Sequence, residues 1–233
     1  MIRVIESGVA KKMLMQKERE LIVEYGIEMS GRGLSVGTSG NLSICDRATG
    51  YIAISPSGID YFETRPEDVV IMDLDSRIID GSRKPSSEWA LHSEFYRRKP
   101  NIGAVVHTHS LYCTAFAVLG RKLQAVHYAI AGAGVAEIPC IPYYLFGSEE
   151  LAKAAAEGCG DGMAVLLGNH GLVACGVDIA SAFSLAENCE YVAKLQYLST
   201  SIGKPNLLTE EEMARAIERF KSYGQDADLK QET

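Results

Sequence analysis

The segment GAVVHTHS, residues 103–110, combines a structural signal with a chemical one. The apolar run at residues 104–106 predicts a buried β-strand, and it leads directly into His107 and His109. Alternate side chains of a strand point to the same face, so both imidazoles can reach one metal ion. The same spacing also suits two hydrogen-bonded histidines of a core or a surface. The rest of the chain has to decide between these two interpretations.

Length and composition favour a single domain over residues 1–233. Of the 233 residues, 47% are hydrophobic, which is enough to bury one substantial core. The formal net charge is −7 and the densest basic cluster is Arg97, Arg98 and Lys99, so nucleic-acid binding is not expected. No apolar stretch approaches the ~18 residues that a bilayer span requires, so no membrane partner is expected either. A polar, mobile tail is expected over residues 225–233.

The six cysteines are scattered along the chain and form no CxxC pair. Most stand among apolar residues, as in LVACG at residues 172–176. In a chain that shows no export signal, this usage is typical of buried thiols rather than of disulfides or a zinc cluster. The cysteines therefore favour a cytoplasmic location.

Hydrophobic periodicity changes repeatedly between the strand and the helix pattern. After an opening helix over residues 11–29, two hairpins are predicted, LSICD with YIAIS and VVIMDLD with RIIDG. Further helices are predicted over residues 86–99, 110–119, 148–158, 179–201 and 209–223, and further strands over residues 103–109, 138–144, 163–171 and 172–176. Interleaved strands and helices with several hairpins imply an α/β fold with a mixed, largely antiparallel sheet covered by helices.

A third histidine, His170, stands between two apolar runs in GNHGLVACG, residues 168–176. Asn169 and Gly171 beside it indicate a tight turn, where the ring is free to be aimed. A capping or surface histidine is the alternative. With His107 and His109, it gives three imidazoles and an open fourth position, which is typical of a catalytic rather than a structural zinc site. Imidazole ligands also accommodate cobalt, nickel or manganese.

The two remaining histidines, His92 and His127, are interpreted as packing or hydrogen-bonding residues. His92 lies in the predicted helix at residues 86–99, four residues after Glu88. The stretch between them does not complete an HExxH motif, which excludes that type of metalloprotease.

Glu88 is predicted in the first turn of that helix, where an acidic residue usually only stabilises the helix dipole. The same helix start carries Ser86 and Ser87, whose hydroxyls and free backbone N–H groups form a natural anion seat. A glutamate beside such a seat can serve as a metal ligand or a base. The turns GTSGN (residues 37–41) and SPSG (residues 55–58) add backbone donors suited to phosphate. Three such turns and three histidines point to a metal enzyme acting on a small phosphorylated substrate.

Taken in order, these motifs resemble those of the class II L-fuculose-1-phosphate aldolases, within the AraD-like aldolase and epimerase family. The matching segments are GTSGNLS, SPSG, KPSSEWALH, VVHTHS, HYAIAGAG, IPCIPY, FGS, NHGLVACG and FKSYG. They extend from just after the first helix to Tyr223. The resemblance implies an α/β/α sandwich around a mostly antiparallel sheet, assembled as a ring-shaped homotetramer with active sites between neighbouring subunits.

The resemblance also implies a role for each matching residue. His107, His109 and His170 would hold Zn²⁺, and Glu88 would be the catalytic acid/base and a further ligand when substrate is absent. The residues implied at the substrate phosphate are Gly40, Asn41, Ser57, Gly58, Ser86 and Ser87. The implied aromatic contacts are Phe146, Tyr128 and Tyr223, of which the two tyrosines would come from the adjacent subunit and belong to the catalytic set. Interface packing is the alternative role for both tyrosines.

The implied reaction is zinc-dependent retro-aldol cleavage of L-fuculose 1-phosphate to dihydroxyacetone phosphate and L-lactaldehyde through a metal-stabilised enediolate. Glu88 would move the proton at the dihydroxyacetone phosphate carbon, and Tyr128 the proton of the departing aldehyde oxygen. Three alternatives stay open: a 5-deoxyribulose or 5-methylthioribulose 1-phosphate aldolase, an enzyme like L-ribulose-5-phosphate 4-epimerase, and a non-catalytic module like the adducin head. Related epimerases carry aspartate in place of Glu88, and the adducin head lacks the metal site, so an aldolase is favoured.

Overall fold

An eight-stranded sheet forms the centre of the molecule in the computed structural model, which describes residues 13–222. The strands are β1 Asn41–Asp46, β2 Tyr51–Ile54, β3 Val70–Met72, β4 Ile78–Asp80, β5 Ala104–Thr108, β6 Cys140–Ile141, β7 Ala164–Leu167 and β8 Gly171–Gly176. Their order across the sheet is β4, β3, β2, β1, β5, β8, β7, β6. Each of these neighbouring pairs is antiparallel except β6 with β7. The predicted, mostly antiparallel sheet is confirmed.

Helices cover both faces of this sheet. They are α1 Gln16–Gly31, α2 Trp89–Arg98, α3 Leu111–Val118, α4 Glu149–Cys159, α5 Ile179–Ile202 and α6 Glu210–Phe220, with 3₁₀ helices at Pro66–Asp68 and Tyr128–Ala133. Buried side chains of α1, α3 and α5 pack on one face, and those of α2 and α4 pack on the other. This arrangement is the predicted α/β/α sandwich. Within residues 13–222, none of the helices is long and apolar enough to cross a membrane.

Strand β5 carries the histidine pair and lies between β1 and β8. All five of its residues are buried. Ala104 and Val106 belong to the core beneath α1, α3 and α5, whereas Val105 belongs to the core beneath α2 and α4. Strand alternation therefore puts His107 on the same face as Val105, toward α2. The strand predicted from the apolar run is confirmed.

Some element boundaries differ from the sequence prediction. Helix α1 begins at Gln16 rather than at residue 11, and only Cys140–Ile141 of the predicted strand at residues 138–144 pairs with the sheet. Helix α2 begins at Trp89, so Glu88 is the N-cap residue and does not lie in the first turn. The reason is local, because the Glu88 N–H donates to Ser86 Oγ at 3.2 Å before the helix starts.

The cysteine prediction is confirmed, while two other predictions fall on residues that are not described. All six cysteines are free, and all but Cys140 are buried. Tyr223 and the polar tail at residues 225–233 lie outside the described range.

Helix α1 is connected to the turn before β1 through the side chain of Tyr61. A Cβ atom added to Gly26, in the middle of α1, would overlap the Tyr61 ring. Because glycine has no side chain, the ring packs directly against the helix, and its hydroxyl donates to the carbonyl oxygen of Gly40 at 2.9 Å. Gly40 has a φ of 74°, in the left-handed region that favours glycine. The packing of α1 thereby fixes the backbone just before Asn41.

We expect Gly26→Ala to lower the free energy of unfolding by about 1–3 kcal/mol, because the new methyl group displaces Tyr61 from a filled site. Urea unfolding measures the change. Gly31→Ala is the matched control, because a Cβ atom there meets nothing within 4 Å and alanine is the better helix former. Equal stability of the two variants would contradict the importance of the Tyr61 contact.

Candidate metal centre

Three imidazoles and one carboxylate converge beyond the end of β5. His107 Nε2 lies 3.0 Å from His109 Nε2 and 3.2 Å from His170 Nε2. Glu88 Oε2 lies 3.2 Å from His107 Nε2, and Glu88 Oε1 lies 3.4 Å from His170 Nε2. One possible ligand atom from each of the four residues lies within 4.8 Å of the others. The structure brings together the four residues predicted as metal ligands.

The ends of β5 and β8 approach each other closely, and this approach depends on Gly171. A Cβ atom on Gly171 would overlap the carbonyl oxygen of Thr108 and would lie 3.0 Å from His109 Cδ2. Just before it, residues 168–170 connect β7 to β8, with Asn169 at a left-handed φ of 54°. Asparagine tolerates this conformation better than most residues. The predicted tight turn is confirmed, and it directs His170 toward the histidine pair.

A backbone hydrogen bond sets the orientation of the His107 ring. His107 Nδ1 lies 2.9 Å from the carbonyl oxygen of Leu172. Since a carbonyl oxygen only accepts, Nδ1 must carry the proton and donate it. In the neutral ring, Nε2 is then left with a lone pair that faces the cluster. Histidines that bind metals are commonly held by a second hydrogen bond of this kind.

The electrostatics of the cluster favour a cation. Burial, reinforced by His107, lowers the pKa of His109 to about 3 and that of His170 to about 4. Burial also lowers the pKa of His107, but the Glu88 carboxylate outweighs it and raises that pKa above its ordinary value. For Glu88 burial raises the pKa, and the attraction of His107 outweighs this and holds the pKa well below its usual range. Two imidazole lone pairs and an ionised carboxylate therefore face one space at neutral pH.

The two oxygens of Glu88 have different surroundings. Oε2 accepts a hydrogen bond from Asn41 Nδ2 at 3.0 Å, whereas Oε1 is buried and has no hydrogen-bond partner among the described residues. An unpartnered buried carboxylate oxygen is costly, and a bound cation would satisfy it. Three imidazole nitrogens and one carboxylate oxygen suit a divalent transition metal such as Zn²⁺. The cluster could therefore hold a metal ion.

The three turns predicted to bind phosphate lie together at this end of the sheet. The Leu42 N–H donates to Ser55 Oγ at 3.2 Å, and the Ser55 N–H donates to the Leu42 carbonyl oxygen at 3.0 Å. The Ser86 N–H donates to the Ser55 carbonyl oxygen at 3.0 Å, and Pro56 forms a bridge with Pro85. These bonds hold the three turns side by side next to Glu88. The turns carry Gly40 and Asn41, Ser57 and Gly58, and Ser86 and Ser87.

The side chain of Asn41 takes a position that the sequence did not indicate. Asn41 is paired with His107 across β1 and β5. Its amide group contacts Glu88 on one side and His92 on the other, where Asn41 Oδ1 lies 2.5 Å from His92 Nε2. His92 is thus a hydrogen-bonding residue, as one of its two interpretations predicted. An asparagine predicted for the substrate phosphate instead connects the glutamate to a buried histidine.

The predicted aromatic residues are not part of the cluster. Phe146 is 62% exposed and precedes Gly147, whose added Cβ atom would lie 2.8 Å from the Ser87 carbonyl oxygen. Tyr128 is 57% exposed, and its ring lies 4.5 Å from that of His127. Phe146 therefore borders the turn at residues 86–87, whereas Tyr128 faces outward. The roles of both residues stay predictions.

The sandwich fold and the histidine–glutamate cluster beside three glycine- and serine-rich turns define a metal-dependent type of sugar-phosphate enzyme. The chain belongs to the class II aldolase and adducin N-terminal domain family, whose model matches residues 20–197.

Individual relatives agree with this assignment. The chain is 52% identical over 213 residues to 5-deoxy-D-ribulose 1-phosphate aldolase of Bacillus thuringiensis serovar kurstaki, which covers 91% of this chain and all of the relative. It is 39% identical over 204 residues to L-fuculose phosphate aldolase of Escherichia coli K12, covering 87% of this chain and 94% of the relative. A solved structure of an L-fuculose 1-phosphate aldolase superposes with a TM-score of 0.87 at 39% identity, covering 90% of this chain and 98% of the other. This chain is a class II aldolase that acts on sugar phosphates.

We expect the chain to bind about one Zn²⁺ per polypeptide, and His170→Ala to weaken that binding by at least about 100-fold, because removing a ligand costs more than removing its support. Competition with a coloured chelator measures the affinity. His127→Ala is the matched control, since His127 lies outside the cluster and contacts the Tyr128 and Tyr191 rings. The same affinity in both variants would show that His170 is not a ligand.

Proposed function

We propose that this chain cleaves a ketose 1-phosphate between C3 and C4, giving dihydroxyacetone phosphate and a short aldehyde. The convergence of His107, His109, His170 and Glu88 in one cluster carries the proposal. The three turns beside Glu88 provide the hydroxyls and backbone N–H groups that a phosphate requires. The relatives with the highest identity quoted above are named for ketose phosphates of this kind.

We propose 5-deoxyribulose 1-phosphate as the preferred substrate, with L-fuculose 1-phosphate as the second candidate. The sequence motifs alone favoured L-fuculose 1-phosphate, but the relative named for the 5-deoxy sugar is 52% identical, against 39% for the relative named for the fuculose phosphate. The two substrates share the phosphate and the ketone and differ by one CHOH group before the terminal methyl. Acetaldehyde would be the second product of the first substrate, and L-lactaldehyde that of the other.

We propose Zn²⁺ as the cation, held by His107, His109 and His170. A divalent cation there supplies a Lewis acid that draws electron density from the substrate carbonyl while the carbon–carbon bond breaks. Glu88 adds the proton transfer. In the direction of aldol addition, its ionised carboxylate removes the proton from the dihydroxyacetone phosphate carbon, and in the direction of cleavage it returns that proton. Its unpartnered Oε1 is the atom available for this step.

We expect Glu88→Gln to retain the metal but to lower the rate of cleavage by about 10²- to 10⁴-fold, because the amide cannot exchange the proton. Release of dihydroxyacetone phosphate measures the rate, and metal analysis of the same sample measures occupancy. Near-normal turnover in this variant would remove Glu88 from the proton-transfer step.

The decisive experiment on the substrate compares five sugar phosphates: 5-deoxyribulose, 5-methylthioribulose, L-fuculose and L-rhamnulose 1-phosphates, and L-ribulose 5-phosphate. We expect kcat/KM to be highest for 5-deoxyribulose 1-phosphate and lower by roughly 10- to 200-fold for L-fuculose 1-phosphate, the range that one added group commonly produces. Epimerisation of L-ribulose 5-phosphate without cleavage would replace the proposal by the epimerase alternative. Absence of any reaction, in a sample shown to contain metal, would favour a non-catalytic module.

We propose that residues 1–233 form one class II aldolase domain, located in the cytoplasm, that assembles as a homotetramer with active sites shared between subunits. Tyr128, Tyr191 and Tyr197 support this assembly, because each is at least half exposed and such aromatic surface is typical of interfaces. Tyr128 would then reach a neighbouring subunit's site. The six free cysteines support the location.

Shared sites make a specific result possible in mixed oligomers. Glu88→Gln and Tyr128→Phe subunits, each impaired alone, should regain activity when they are dissociated and reassembled together, since some sites then combine two intact halves. Sedimentation measures the assembly state and the cleavage assay measures recovery. A monomer, or a mixture that stays at the level of its parents, would refute shared sites.

A further inference from the structure

We propose that a buried hydrogen-bonded chain, running from Tyr96 through Ser43 and His92 to Asn41, orients the carboxylate of Glu88, and that His92 is the positioning residue at its centre. The inference rests on the proposed function in one respect, that Glu88 moves the proton. His92 would act on Glu88 only through Asn41.

The chain consists of four short contacts. Asn41 Nδ2 lies 3.0 Å from Glu88 Oε2, and Asn41 Oδ1 lies 2.5 Å from His92 Nε2. On the far side of the ring, His92 Nδ1 lies 2.6 Å from Ser43 Oγ, which lies 2.7 Å from the Tyr96 hydroxyl oxygen. Glu88 is the most exposed of the five residues, at 6%. The chain is therefore shielded from water over its whole length.

Two periodicities produce this alignment. Glu88, His92 and Tyr96 are spaced by four residues from the N-cap of α2 along one face of the helix. Asn41 and Ser43 are two residues apart on β1, so their side chains point to the same face of the sheet. The helix face and the strand face meet, and the side chains alternate between them from Glu88 to Tyr96.

The direction of each hydrogen bond follows from the carboxylate. An ionised carboxylate only accepts, so the Asn41 group facing Glu88 must be the NH₂ and the group facing His92 must be the carbonyl oxygen. His92 Nε2 must then carry a proton and donate it to Asn41. The neutral ring keeps no proton on Nδ1, so Nδ1 accepts from the Ser43 hydroxyl.

The last bond follows in the same way. Because the Ser43 hydroxyl gives its proton to His92, its oxygen accepts from the Tyr96 hydroxyl. The reversed chain would place the Asn41 oxygen against the Glu88 carboxylate, where two acceptors repel. Burial lowers the pKa of His92 to about 3, which keeps the ring neutral, as a group that both donates and accepts must be.

The chain leaves the two Glu88 oxygens with separate tasks. Oε2 is held by Asn41, and rotation of the carboxylate would break that bond while exposing an unpaired amide in the interior. Oε1 remains without a partner and faces His170. We infer that the chain selects which oxygen moves the proton, and that His92 stabilises the Asn41 orientation that makes this selection.

Nitrogen-15 NMR of the histidine rings tests the proposal without any turnover. We expect His92 in the wild-type protein to be the Nε2–H tautomer across neutral pH. The Nδ1–H tautomer would reverse every bond and overturn the proposal. This measurement stands even if the wild-type protein cleaves none of the five sugar phosphates, an outcome that would refute the proposed function alone.

Kinetics of matched variants test whether the chain acts on Glu88. We expect His92→Leu to lower kcat by roughly 10- to 100-fold with KM nearly unchanged, as is common when the support of a site residue is removed. His92→Gln should recover most of this loss, since a glutamine amide can donate to Asn41 from nearly the same place. In a Glu88→Gln background, His92→Leu should cause no further loss, because its effect passes through Glu88. A full additional loss in that background would show a general structural role.

The two buried serines provide the closest control. Ser43 belongs to the chain, whereas Ser93 is equally buried and its Oγ has no hydrogen-bond partner among the described residues. Ser43→Ala and Ser93→Ala each delete one hydroxyl, and we expect only Ser43→Ala to lower kcat when thermal unfolding shows both variants to be folded. Equal kcat values in the two serine variants, or an unchanged kcat in His92→Leu, would overturn the proposal.

Discussion

The register of β5 between β1 and β8 is the constraint on which the rest of the site depends. Pairing with β1 sets Asn41 opposite His107, and pairing with β8 sets Leu172 opposite Thr108, so that the Leu172 carbonyl oxygen receives the His107 Nδ1–H. A slip by one residue would turn His107 to the other face of the sheet and would separate it from Glu88. One strand register therefore fixes a metal-ligating nitrogen, the ring that carries it and the asparagine that holds the acid/base.

This arrangement concentrates polar groups where folding alone would not place them. Glu88, His92 and His107 are buried, and Glu88 Oε1 lacks a partner within the described part of the chain. Burying such groups opposes folding unless each one is paired. The hydrogen bonds of Asn41 and His92 satisfy one side of the cluster, and a cation would satisfy the other and would stabilise the folded state in proportion to its binding. The inner half of the site is thus built by the fold, while its open half is completed by a ligand.

Sequence patterns predicted the parts of this site that depend on local spacing. The HxH pair on a strand and His170 in a tight turn follow from side-chain alternation and from turn-forming neighbours, and the structure places them as expected. The contact between His92 and Asn41 was not predictable in the same way, since the residues lie 51 positions apart and meet only when α2 packs on β1. Asparagine before a strand is typical of a turn, and a lone histidine in a helix has no distinctive pattern. Tertiary contacts decide the roles of both residues.

The division between rigid and exposed parts of the site explains how related enzymes differ in substrate. The metal ligands and the phosphate turns are carried by paired strands and by hydrogen bonds between their ends, so a change there disturbs several contacts at once. Tyr143, Leu145 and Phe146, in contrast, are about 60% exposed in the loop between β6 and α4, which borders Ser87 through Gly147. Substitutions in such a loop change the surface offered to an aldehyde while leaving the metal cluster intact. Relatives named for 5-deoxyribulose and fuculose phosphates can therefore share one reaction centre, because the group that distinguishes their substrates lies at the end that the sheet does not constrain.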